Sequence, residues 1–111
     1  MRKIEVMFID AIKTRTPRVE GNTEFDGNTV RLHGHRLFTI DDVARVDVDL
    51  CTLTRWPTAT TKSRLNNLFL GLGLHAQFFT RDRVLMVSIG GADGVPVASF
   101  KGSTLRVGVL K

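Results

Sequence analysis

The sequence predicts an α+β fold: a mostly antiparallel sheet of about seven or eight short strands with one central amphipathic helix, near residues 61–71. Three observations predict it. Apolar and polar residues alternate in short runs on both sides of Pro57. Turn-forming residues separate those runs. One stretch, Leu65, Leu68, Phe69 and Leu72, changes to i, i+3, i+4, i+7 spacing, the stripe of a helix with one buried face.

The elements follow in order. Ile4, Val6 and Phe8 alternate with Lys3, Glu5 and Met7 and read as a half-buried first strand. Residues 13–22 lack a period and contain Pro17 and Gly21, so they read as a loop. Asp26-Gly27-Asn28 is a hairpin turn. Thr29 to His33 and Arg36 to Ile40 are strands broken at Gly34, and Asp41-Asp42 makes a short turn. Ala44 to Leu50 alternates, with Ala44, Val46, Val48 and Leu50 on one face and Arg45, Asp47 and Asp49 on the other. The helix then starts, with Thr60 or Thr61 as N-cap, and ends at Gly71-Leu72-Gly73. Residues 77–80 and 83–89 are strands joined by a turn at Arg81-Asp82. Residues 90–94 turn again, and 95–100 and 104–110 are closing strands. Both ends of the chain are expected to be strands, or to be pinned by a partner.

A chain of 111 residues is read as one domain, residues 1–111, with enough length to build a core without staples. The single Cys51 excludes an intramolecular disulfide and a Cys-rich metal site, and it reads as a small core residue. A reducing cytoplasm suits it. No secretory leader and no membrane-spanning stretch is read in the sequence. The net charge is +5, and 11 of the 16 cations are Arg, the side chain best shaped for phosphate. That balance favours an anionic partner, although solubility alone also accounts for it.

The residues that could carry chemistry argue against an enzyme. His33 and His35 flank Gly34, but no third ligand follows at metal-site spacing, so no metal is expected. Asp47 and Asp49 could be paired acid and base, but strand alternation alone produces such ladders. Ser63 and Cys51 have no partnered base, and no Gly-rich phosphate or dinucleotide motif is present. No cofactor is expected.

The segment Trp56-Pro57-Thr58-Ala59-Thr60-Thr61-Lys62-Ser63-Arg64 is different. Thr58, Thr60, Thr61, Lys62, Ser63 and Arg64 bring hydroxyl and cationic donors to a helix start, where free N–H groups and the dipole attract anions. With the N-cap at Thr60 or Thr61, Lys62 and Arg64 lie in the first turn, against the dipole. A bound anion would justify that placement; solvated cations on a capped helix are the plain reading. Asn67 extends the same face. Trp56 either plugs a core edge or stacks on a base or a partner surface. Arg15 and Arg18, with Lys13, form a second basic cluster in the loop, which is otherwise simply solvated.

The run Trp56-Pro57-Thr58-Ala59-Thr60-Thr61-Lys62-Ser63-Arg64-Leu65-Asn66-Asn67-Leu68 resembles a motif of a family of small tailed-bacteriophage proteins: strands, a Trp-Pro-Thr lead-in, a Thr-Thr-x-Ser-Arg helix start, then more strands. Lys62 stands where that pattern expects a basic residue. The resemblance implies a phage origin and action in the cytoplasm of an infected bacterium. It implies no activity. The reading that results is a non-enzymatic phage protein binding nucleic acid through Trp56, Thr58, Thr60, Thr61, Lys62, Ser63, Arg64 and Asn67, with Arg15 and Arg18. A phage inhibitor of a host bacterial protein, and a minor virion component, are the alternatives.

Overall fold

The computed structural model describes residues 2–110. Its first element corrects the sequence reading. Lys3–Thr14 is a helix, α1, and not a strand. Ile4, Val6 and Phe8 alternate, but Ile4, Phe8, Ala11 and Ile12 also repeat at helical spacing, and the second pattern wins. Phe8, Ala11 and Ile12 are buried, whereas Val6 is 53% exposed. Glu5 closes the first turn by accepting from the Arg2 backbone N–H at 3.0 Å. The left-handed Arg15 (φ 54°) ends the helix.

Strands β1 (Arg18–Glu20), β2 (Thr23–Phe25), β3 (Thr29–Leu32), β4 (His35–Ile40) and β5 (Arg45–Asp49) follow as an antiparallel meander, so part of the expected loop is a strand. The turn at Asp26 forms as expected. Its carboxylate accepts from the N–H groups of Asn28 (2.9 Å) and Thr29 (2.8 Å). On β4, Val30 pairs with Phe38 but Arg31 pairs with Arg36. Leu37 is therefore the extra residue of a bulge, which lets Leu37 and Phe38 both be buried.

The structure has three α-helices among the described residues, where one was expected. The second, α2 (Leu50–Arg55), is capped by Asp49, whose carboxylate accepts from Thr52 N–H at 3.0 Å. Leu50 and Leu53 point inward, so Cys51 is exposed and is not a core residue. The third, α3 (Ala59–Gly71), is the expected central helix. Leu65, Leu68 and Phe69 are fully buried and Leu72 partly so.

Strands β6 (Ala76–Arg81), β7 (Val84–Ile89) and β8 (Val95–Pro96) form a separate antiparallel sheet. Its first turn falls at Asp82-Arg83, one residue later than expected, with both residues at positive φ. Only Val95 and Pro96 of the expected 95–100 strand pair with β7; a 3-10 turn, Val97–Ser99, follows. Strand β9 (Thr104–Val109) returns to the edge of the first sheet, whose order is β1-β2-β3-β4-β5-β9. Among the described residues, nine strands in two sheets replace the single sheet of seven or eight.

One apolar cluster joins the inner face of the larger sheet to α1, α3 and the smaller sheet. Phe38 and Phe69 meet edge to face at 5.0 Å in its centre. The polar face of the larger sheet carries Asp47, paired with Arg106 across strands at 3.1 Å. Asp47 and Asp49 thus serve an ion pair and a helix cap.

Candidate functional site

The start of α3 is built by Thr58, not by Thr60 or Thr61. The Thr58 hydroxyl accepts from Thr61 N–H at 3.1 Å, and the two hydroxyls are 2.9 Å apart. Thr61 is the first buried residue of the run, while Trp56, Pro57, Thr58, Ala59 and Thr60 before it are all at the surface. With Ala59 as the first helical residue, Lys62 is the fourth and Arg64 the sixth. The cations therefore lie at and beyond the end of the first turn, and opposition to the dipole no longer explains them.

The most distinctive feature is an aromatic stack. The Trp56 indole lies on the His35 imidazole with ring centroids 3.7 Å apart and planes inclined by 22°. Trp56 remains 38% exposed, so it is a surface stack and not a core plug. The Trp56 backbone N–H donates to Thr52 O at 2.8 Å, which fixes the chain as it leaves α2. His33 (φ 52°) and Gly34 (φ 79°) form the tight β3–β4 turn that brings His35 to the indole. Between the hairpin and the helix start lies a cavity of about 360 Å³, lined by His33, His35, Thr52, Trp56, Thr58 and Thr60 among others. A groove of similar size, about 380 Å³, lies along α3 beside Asn66, Asn67 and His75, but it has no indole.

Lys62 leans the other way. Its ammonium donates to the Thr80 hydroxyl, at the end of β6. The β6–β7 turn that follows displays Arg81 and Arg83, both exposed, with Arg81 over the Phe79 ring at 5.2 Å. The basic flank of the helix start thus includes two arginines that no local sequence signal ties to it.

Ser63, Arg64 and Asn67 face α1. Glu5, fully buried, accepts from the Arg2 guanidinium at 2.8 Å and from the Asn67 amide at 3.0 Å, besides the Arg2 N–H. Burial pushes the Glu5 carboxyl up, but these hydrogen bonds together outweigh it and leave it below its ordinary value. The same Arg2 guanidinium donates to Ser63 Oγ at 3.2 Å. Arg64 is buried, with 7% exposure, and its Nε and Nη1 have no partner among the described residues. Burial lowers its guanidinium pKa, the Arg2 charge lowers it further, and Glu5 partly offsets both.

Arg15 and Arg18 lie elsewhere. Arg15 donates to the carbonyls of Gly27 (2.9 Å), Ile40 (3.2 Å) and Asp41 (2.6 Å). Arg18 pairs with Glu20 at 3.1 Å and stands opposite Phe25, beside the Asp26 turn. Both are at the end of the β3–β4 hairpin opposite to His33 and His35. Among the described residues no group of three or more His, Cys, Asp or Glu side chains is placed to hold a metal ion, and no helix is long and apolar enough to cross a membrane.

Fold and site together define a small basic α+β protein with a stacked indole beside a hydroxyl-lined groove. The family model of the Kyanoviridae Gp96 protein matches residues 1–106, and the chain belongs to that phage protein family. The phage origin expected from the Trp56–Leu68 run agrees with this. No curated protein and no solved structure matches the chain.

Proposed function

We propose that this phage protein is a non-enzymatic binder of nucleic acid that works at the exposed start of α3, inside the infected bacterium. The observation that carries the reading is the Trp56–His35 stack beside the groove. A rigid, half-exposed indole with one face already covered is a platform for one more flat ring. Base–aromatic stacking contributes about 1–3 kcal/mol per base and tolerates any sequence. Thr58 and Thr60, both exposed residues, line the same groove and offer hydroxyl groups to sugar or phosphate. Lys62, Arg81 and Arg83 flank the helix start and would meet the backbone, and the net charge of +5 has the matching sign.

Binding of a labelled single-stranded oligonucleotide at ~50 mM salt tests this. Trp56→Ala is expected to weaken it about tenfold, the equivalent of roughly 1.4 kcal/mol. Equal binding by the variant would remove Trp56 from the site. No binding by the wild type would pass the same face to the reading of a host-protein inhibitor, because exposed Trp also anchors protein interfaces.

A further inference from the structure

We infer that the seam between α1 and α3 is a phosphate subsite, in which Arg64 and Arg2 take one phosphate group with the Ser63 hydroxyl beside them. This deepens the nucleic-acid reading and rests on it for the source of the phosphate. Arg64 is more than nine-tenths buried, yet neither Nε nor Nη1 has an acceptor among the described residues. Helix-core positions optimised for stability alone hold Met or Leu, since a buried cation without hydrogen bonds is costly. The neighbouring carboxylate does not satisfy it. Glu5 Oε1 takes the Arg2 N–H and the Asn67 amide, and Oε2 takes the Arg2 guanidinium. The seam therefore holds two guanidinium groups against one carboxylate, one positive charge in excess.

The excess has an open side. The Arg2 side chain is 49% exposed and bridges Glu5 to Ser63 Oγ, one residue before Arg64. The two arginines repel each other, and part of the lowering of the Arg64 pKa comes from Arg2. A phosphodiester carries one negative charge and oxygens in the geometry that guanidinium forks bind in pairs. It would neutralise the seam and supply the acceptors that Arg64 lacks.

The test uses the full chain, inorganic phosphate and a labelled single-stranded oligonucleotide. Phosphate is expected to raise the melting temperature of the wild type above a chloride control of equal ionic strength. Arg64→Met is expected to melt at or above the ligand-free wild type and to show no rise with phosphate. Its oligonucleotide affinity should fall about tenfold and its salt slope by roughly 0.7 unit, the loss of one phosphate contact. Should the methionine variant fold poorly, Arg64→Lys keeps the charge without the fork, and should lose most of the phosphate effect. A phosphate effect lost in these variants, with no oligonucleotide binding by the wild type, would keep the subsite, assign it to free phosphate or a small phosphorylated molecule, and end the nucleic-acid reading. Wild-type affinity and slope in both Arg64 variants, with Trp56→Ala weakened, would overturn the subsite and leave that reading standing. The absence of any phosphate effect on the wild type would also overturn the subsite.

Discussion

The side chain of Asn66 pairs with the main chain of Phe78 as a neighbouring strand would. Its Nδ2 donates to Phe78 O at 2.7 Å, and Phe78 N–H donates to its Oδ1 at 2.8 Å. Strand β6 is an edge strand, and this amide ties the smaller sheet to α3. Replacing Asn66 by Ala leaves two main-chain groups unpaired beside a buried Phe. A loss of about 2–3 kcal/mol in urea unfolding is expected. A loss below about 0.5 kcal/mol would mean that water replaces the clamp freely.

Gly71 lets α1 and α3 approach. In an ordinary helix interior Gly→Ala gains about 0.5–1 kcal/mol. Here the new Cβ would overlap Ile9 Cδ1 and Cγ1. Gly71→Ala should therefore destabilise by about 1–3 kcal/mol. The double variant with Ile9→Ala should be less unstable than the sum of the two changes, a coupling that a double-mutant cycle measures directly. Additive losses would contradict the contact.

Stability should fall in acid, for reasons that two carboxylates specify. Hydrogen bonds from the Arg31 side chain and from the Asn28 and Thr29 N–H groups hold Asp26 down to about 2. Glu5 is also lowered, since its hydrogen bonds outweigh its burial. A carboxyl lowered in the folded state stabilises above its unfolded pKa and loses that contribution as pH falls through its folded pKa. The melting temperature should thus decline as pH drops from about 4.5 towards 2. Asp26→Asn should start lower at neutral pH and decline less over that window. An identical decline would place the acid sensitivity elsewhere.

Arg15 separates stability from binding. Its guanidinium holds three carbonyls near the Asp26 and Asp41 turns. Arg15→Ala should cost about 1–3 kcal/mol in unfolding, since each charge-assisted bond lost leaves a part-buried carbonyl. Its oligonucleotide affinity should change far less than that of Trp56→Ala. A loss equal to that of the Trp variant would bring Arg15 into the binding face.

What could be read from the sequence was local. The Asp26 turn, the six expected runs that became strands (29–33, 36–40, 44–50, 77–80, 83–89 and 104–110) and the Leu65-Leu68-Phe69 stripe depend on neighbours in the chain, and all of them formed. What could not be read was tertiary. Ile4, Val6 and Phe8 fit a strand as well as Ile4, Phe8 and Ile12 fit a helix, and packing on α3 at Gly71 decides between them. With α1 read as a strand, nothing could cover Arg64, so its burial and its neighbours Arg2 and Glu5 were out of reach. Helix α2 has six residues, too few for a periodic stripe. Thr58, Thr60 and Thr61 are all competent caps, and the burial of Thr61 selects Thr58. The Trp56–His35 stack joins residues far apart in the chain, for which no spacing rule exists.

The chain has one Trp and no Tyr, so its indole emission reports on Trp56 alone. Titrating a short single-stranded oligonucleotide into the protein at ~50 mM salt, and repeating at higher salt, tests whether a base stacks on Trp56 at the start of α3. A base stacking on the indole should quench the emission saturably. The midpoint should move to higher oligonucleotide concentration as salt rises, with a log–log slope of about 0.7 per phosphate contact. Emission unchanged through the titration, or quenching indifferent to salt, would contradict nucleic-acid binding at the start of α3.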